Sequence, residues 1–138
     1  MGLARLPGTA VVGEDRQVSL RVLIVDDSPQ FRAAAAELLA DRGFEVLSPA
    51  ADGREALAAA AEAHPDGMLL DINLPGTDGF EVASAVTAAC PGVRIVLDSA
   101  SVTAVPDALL RACGAIAFLC KEELAGADLA ALFTPAGT

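Results

Sequence analysis

The stretch Arg21-Val22-Leu23-Ile24-Val25-Asp26-Asp27-Ser28-Pro29 decides how this chain folds. Its aliphatic run has no polar residue at alternate positions, so it reads as a strand without a solvent face. Such strands belong to parallel sheets covered on both sides. Two carboxylates end the run. Ser28 and Pro29 then open a helix, the first as a hydroxyl acceptor for a free amide, the second at a place where a missing N–H is harmless. Phe31, Ala34, Ala35, Leu38 and Leu39 recur at helical spacing, and Gly43 stops the helix.

The same phrase of strand then helix repeats downstream. Glu45 to Ser48 reads as a strand and Asp52 to Ala61 as a helix, closed by His64-Pro65-Asp66. Met68-Leu69-Leu70 runs into Asp71 as a third strand; Asn73 to Gly76 is a turn and Asp78 to Ala89 a helix. Arg94 to Leu97 is a fourth strand, followed by a helix from Val105 to Cys113 that Gly114 ends. Ala115 to Cys120 is a fifth strand and Glu122 to Phe133 the last helix. Strict alternation of this kind predicts an α/β fold, a doubly wound five-stranded parallel sheet with helices on both faces, because each parallel crossover is made by a right-handed helical connection.

Outside that pattern lie the two ends. Met1 to Leu20 mixes Pro7, Gly2, Gly8 and Gly13 without a period and is expected to be a disordered or loosely packed tail. Thr134 to Thr138 is expected to fray, which leaves 21–133 as the folded domain. Hydrophobic residues make up 54% of the chain and charged residues 20%, enough for a core and against disorder. A net charge of −10 repels phosphate backbones and anionic lipids, so neither nucleic acid nor membrane is an expected partner. No secretory leader is read at the start, and a cytoplasmic location is expected. Cys90, Cys113 and Cys120 are odd in number and contain no CxxC, which argues against a disulfide framework or a zinc knuckle.

Chemistry collects where the strands end. Asp26 and Asp27 follow the first strand, Asp71 ends the third, Ser99 follows the fourth and Lys121 the fifth. In a doubly wound sheet the carboxyl ends share one edge, and ligands bind there. Carboxylates held together repel one another, and a hard divalent cation relieves them. A set of oxygens with open positions suits Mg²⁺, which keeps waters and takes a phosphate. Asp71 can then attack phosphorus and become an aspartyl phosphate, with Lys121, Ser99 and Mg²⁺ receiving the new oxygens.

With these residues in place, the chain from Arg21 to about Phe133 resembles the receiver domain of two-component response regulators. The likeness is carried by VLIVDDSP (Val22 to Pro29), MLLDINLPGTDGFE (Met68 to Glu81), RIVLDSAS (Arg94 to Ser101) and GAIAFLCKEEL (Gly114 to Leu124). It implies a flavodoxin-like sheet of order 2-1-3-4-5. It also implies that Asp71 is the phosphoacceptor, that Asp27 ligates Mg²⁺ directly, Asp26 through water and Asn73 through its backbone carbonyl. Ser99 would bind a phosphoryl oxygen and Lys121 would pair with the phosphoryl group. Phe118 matches the aromatic that turns inward when the hydroxyl moves. Implied partners are a histidine kinase or phosphotransfer protein, a downstream protein of unknown identity, and a second copy of the chain as a homodimer.

Two departures stand out. The family has Thr or Ser directly after the apolar fourth strand, and here Asp98 precedes Ser99. Counting back from Lys121 without a gap gives the hydroxyl role to Ser99; anchoring on Leu97 gives it to Asp98, where a carboxylate would oppose the phosphate. Ser99 is preferred, and Asp98 is then expected to point away from the cleft. The family also has Pro after the Lys, where this chain has Glu122. The competing function is a degenerate receiver-fold binding module that no longer depends on phosphorylation. An aspartyl phosphohydrolase is disfavoured, since neither Asp26 nor Asp71 is followed two residues later by a general acid. No GxGxxG and no Gly-Lys-Ser/Thr occurs, which excludes dinucleotide and P-loop sites.

Overall fold

Val22, Leu23, Ile24 and Val25 have no exposed surface, as a strand covered on both faces requires. They lie in a computed structural model that describes residues 19–135; the tail expected over Met1 to Leu20 lies outside the described residues up to position 18, as do the last three residues of the C-terminal one. The chain runs β1 (Arg21–Val25), α1 (Pro29–Asp41), β2 (Glu45–Val46), α2 (Gly53–Ala63), β3 (Gly67–Asp71), α3 (Gly79–Ala89), β4 (Arg94–Ser99), α4 (Asp107–Cys113), β5 (Ala117–Cys120) and α5 (Leu129–Phe133). The five strands form one parallel sheet of order β2-β1-β3-β4-β5. This is the flavodoxin-like order, with its switch point between β1 and β3.

Alternate residues of each strand feed opposite layers. Leu23, Val25, Met68, Leu70, Ile95 and Leu97 pack with α2, α3 and α4. Val22, Ile24, Leu69 and Val96 pack with α1, α5 and Leu124. The first three helices begin on side-chain caps. Ser28 Oγ accepts the Phe31 N–H at 3.2 Å, Asp52 the Glu55 N–H at 2.9 Å and Asp78 the Glu81 N–H at 2.8 Å. Among the described residues no helix is long and apolar enough to cross a membrane.

The C-terminal part departs from the sequence expectation. β4 runs on through Asp98 and Ser99, which pair with Leu119 and Cys120 of β5. α4 starts two residues late, at Asp107, and Pro106 at its N-cap offers no side-chain acceptor. The expected last helix splits into a 3₁₀ segment, Lys121–Gly126, and a five-residue α5. Glu123 turns its carboxylate back to the Cys120 N–H at 2.9 Å, which tightens the first turn, and Asp128 caps a fresh start by accepting the Ala131 N–H. Arg42, at the end of α1, holds this segment by donating to the carbonyls of Ala125 and Ala127. Asn73–Leu74 and Thr77–Asp78 form a small antiparallel ribbon about Pro75 and Gly76. Gly76 has φ +76°, the conformation a Pro-Gly type II turn requires.

Candidate functional site

Asp26 leaves β1 fully buried, Asp71 ends β3 nearly so, and Asp27 stands exposed at the mouth between them. One carboxylate oxygen from each lies within 4.8 Å of the others. The chain therefore does converge three carboxylates on one point at the carboxyl edge of the sheet. All donors are oxygens, and the exposed side at Asp27 leaves room for waters or a phosphate, the coordination a small hard cation needs.

Each buried member is oriented. Asp26 Oδ1 accepts the Ser28 N–H at 2.9 Å, and Arg32 donates to the Asp26 carbonyl at 2.8 Å. Asp71 Oδ1 accepts the Asn73 N–H at 3.0 Å. Lys121 reaches in from the end of β5, with Nζ 2.6 Å from Asp26 Oδ2 and 3.5 Å from Asp71 Oδ2. Burial raises the Asp71 carboxyl above its ordinary value, and the Asp26 charge adds to that against the Asn73 N–H and Lys121. Burial presses Lys121 toward its neutral form, but Asp26, Asp71 and Asp98 outweigh it and hold the ammonium above its ordinary value.

Ser99 and Asp98 separate because β4 alternates. Ser99 continues the face of Leu97, Asp98 that of Val96. Ser99 Oγ accepts the N–H groups of Ser101 at 3.1 Å and Val102 at 3.0 Å and lies 3.4 Å from Asn73 Nδ2. Asp98 is turned to the opposite face, yet the expectation that it would point away from the cleft needs correction. It is 1% exposed, and its Oδ1 lies 4.0 Å from Lys121 Nζ. Burial pushes its carboxyl up to about 8, with Lys121 opposing that shift. Phe118 is half-buried beside Leu97 on the Ser99 side of the sheet.

Sequence reasoning missed two neighbours. Phe31 places its ring 4.2 Å from Lys121 Nζ, a cation–π contact; its place in the first turn of α1 was the available signal. Ser101 shares the Asn73 amide with Ser99. Gly79 begins α3 against the end of β3, where a Cβ would meet Ile72 Cα at 2.5 Å and the Asp71 carbonyl at 2.6 Å.

The family model for the response regulator receiver domain matches residues 22–132, and the chain belongs to that family. A protein-glutamate methylesterase/protein-glutamine glutaminase of Archaeoglobus fulgidus is 34% identical over 114 residues, covering 82% of this chain but 33% of its own length. The chain thus spans about a third of that relative. Among solved structures, the signal receiver domain of the putative response regulator NarL from Mycobacterium tuberculosis superposes with a TM-score of 0.70 at 32% identity, over 85% of this chain and 98% of the other. A CheX–CheY–BeF₃–Mg²⁺ complex from Borrelia burgdorferi gives 0.71 at 26% identity, over 84% and 90%.

Proposed function

We propose that Asp71 accepts a phosphoryl group from a histidine kinase or phosphotransfer protein, and that this changes a partner-binding surface around α4 and β5. The observation that carries the reading is the convergence of Asp26, Asp27 and Asp71 on one point beside the Lys121 ammonium. A carboxylate oxygen of Asp71 attacks phosphorus, the bond from phosphorus to the donor imidazole nitrogen breaks, and the electron pair stays on that nitrogen. Asp26, Asp27, Asp71 and the Asn73 carbonyl would hold Mg²⁺, which when bound neutralises charge on the phosphoryl oxygens. Lys121 already lies beside Asp71 to meet one of those oxygens. Ser99 Oγ accepts from two backbone amides and lies 3.4 Å from Ser101 Oγ, and its proton would turn from that neighbour to a phosphoryl oxygen. A move of Ser99 would draw the segment after β4 with it, and Phe118 on the same face would follow.

A cytoplasmic location, a downstream protein partner and self-association as a homodimer belong to the same reading. Incubation with acetyl phosphate and Mg²⁺ should add one phosphoryl group to the wild type and none to Asp71→Asn, read by intact mass. The second reading, a receiver-fold module independent of phosphate, draws on the buried Asp98 carboxyl beside Lys121; a wild type that takes up no phosphoryl group would favour it.

A further inference from the structure

Lys121 is asked to serve three carboxyl groups with one ammonium. Its Nζ is 2.6 Å from Asp26, 3.5 Å from Asp71 and 4.0 Å from Asp98. Asp26 has the Ser28 amide besides, and Asp71 has the Asn73 amide. Asp98 has nothing else: both its oxygens are buried and neither receives a hydrogen bond. A buried polar group without a partner is rare and draws on whatever donor lies nearest, and here that donor is Lys121. The face of β4 that Asp98 continues holds Val96, packed with Leu124 and Leu129, and Arg94, whose Nε is spent on the Leu132 carbonyl at 2.9 Å, so among the described residues Lys121 is the cation within reach of Asp98. On its outer side Lys121 lies against the Phe31 ring, and its side chain is only 17% exposed, which keeps most of it in the cleft.

We propose that Asp98 is a positioning residue for Lys121, its carboxyl oxygen offering the ammonium a further acceptor on the α1–α5 side that competes with Asp71, so that the chain holds its phosphoryl group only briefly. This rests on the reading of Asp71 as the acceptor. It differs from simple repulsion between Asp98 and the phosphate, because Asp98 lies on the opposite face from Ser99 and acts through the lysine they share.

A double-mutant cycle separates the two. The lifetime of the aspartyl phosphate formed from acetyl phosphate and Mg²⁺ is measured in wild type, Asp98→Leu, Lys121→Met and the double variant. Asp98→Leu should lengthen it severalfold with Lys121 present and leave it unchanged in Lys121→Met. Equal lengthening in both backgrounds, or none in either, would overturn the proposal. The same four proteins are unfolded in urea without Mg²⁺. Non-additive midpoints are expected from a shared pair; additive ones count against it. Should the wild type take up no phosphoryl group, the acceptor reading fails by itself, and the urea cycle still decides whether Asp98 and Lys121 act together.

Discussion

The first three strand–helix units and the last two are built to different standards. α1, α2 and α3 run 13, 11 and 11 residues, each from a side-chain cap. α4 has seven residues and no such cap, and α5 has five after a 3₁₀ segment. The carboxylates divide the same way. Asp26, on the first strand, is buried with an amide and a lysine; Asp98, on the fourth, is as deeply buried with neither oxygen hydrogen-bonded. The lesson is one of placement. The carboxylates that converge on one point sit on the well-capped part, while the part proposed to change its surface carries short helices and a buried carboxyl without a hydrogen bond.

The widest gap between the two regions should appear with pH. Asp98 keeps its proton up to about pH 8 in the folded chain, against an ordinary value of 3.8. Between those values the folded state binds more protons than the unfolded one, so this contribution to stability is present in full below about pH 4 and lost as pH rises toward 8. The loss is at most about 6 kcal/mol, from the free energy that each pKa unit carries. Urea unfolding of wild type and Asp98→Asn from pH 4 to 8.5, without Mg²⁺, should show the variant gaining on the wild type up to about pH 8 and no further. A constant difference would mean Asp98 is as well satisfied as Asp26, and the contrast would be broken.

The short last helix needs an anchor, and Phe133 is it. The side chain is fully buried, stands edge-on to Phe44 at 5.9 Å, and fills the space left by the missing side chain of Gly67. Phe133→Ala should cost about 3–5 kcal/mol, the range for emptying an aromatic site. A loss below about 1 kcal/mol, measured by urea unfolding, would mean that α5 is held instead by Arg94, whose Nε donates to the Leu132 carbonyl at 2.9 Å, and that burial does not anchor it.

On the other side of the comparison, Gly79 is the position with least room. An added methyl would meet the backbone of Ile72 and Asp71, and overpacking against backbone costs about 1–3 kcal/mol. Gly79→Ala should therefore lower both stability and phosphoryl uptake at Asp71, since relief requires the acceptor strand to shift. Uptake that survives while stability falls would separate the packing role from the site.

Much of this was legible in the sequence. Aliphatic runs ending in Asp26, Asp71 and Lys121 announce parallel strands and one shared edge, because neither burial nor topology leaves them another place. What failed to show has local causes. Glu122 to Phe133 reads as one helix by periodicity, yet Glu123 folds back on the Cys120 amide and Ala127, with φ −80° and ψ 152°, breaks the run before Asp128. Asp98 and Ser99 look like the end of a strand because they are polar, yet both are buried and paired with β5. The contact of Asp98 with Lys121 depends on which face each takes once β4 is two residues longer than the apolar run suggests, and composition carries no such information.

The smallest effect tests the caps themselves. Asp78→Ala removes the acceptor for the Glu81 amide and should cost about 1 kcal/mol, the usual worth of an N-cap. At α4 the corresponding change is a gain. Pro106 has extended backbone, φ −60° and ψ 141°, which suits a cap, but it offers no side-chain oxygen. Pro106→Asp should supply one and add about 0.5–1 kcal/mol, with its charge also meeting the positive end of the helix. Part of that gain is offset, because proline narrows the unfolded ensemble and its loss costs about 0.4–1 kcal/mol. The net change is therefore near zero in global unfolding. Local opening is the sharper measure: amide exchange at Leu109 and Leu110, whose N–H groups now bond the Pro106 carbonyl, should slow in Pro106→Asp, while exchange in α3 stays as it was. If α4 amides exchange no more slowly, the short helix is limited by its packing and not by its missing cap, and the two regions differ in their core contacts more than in their helix ends.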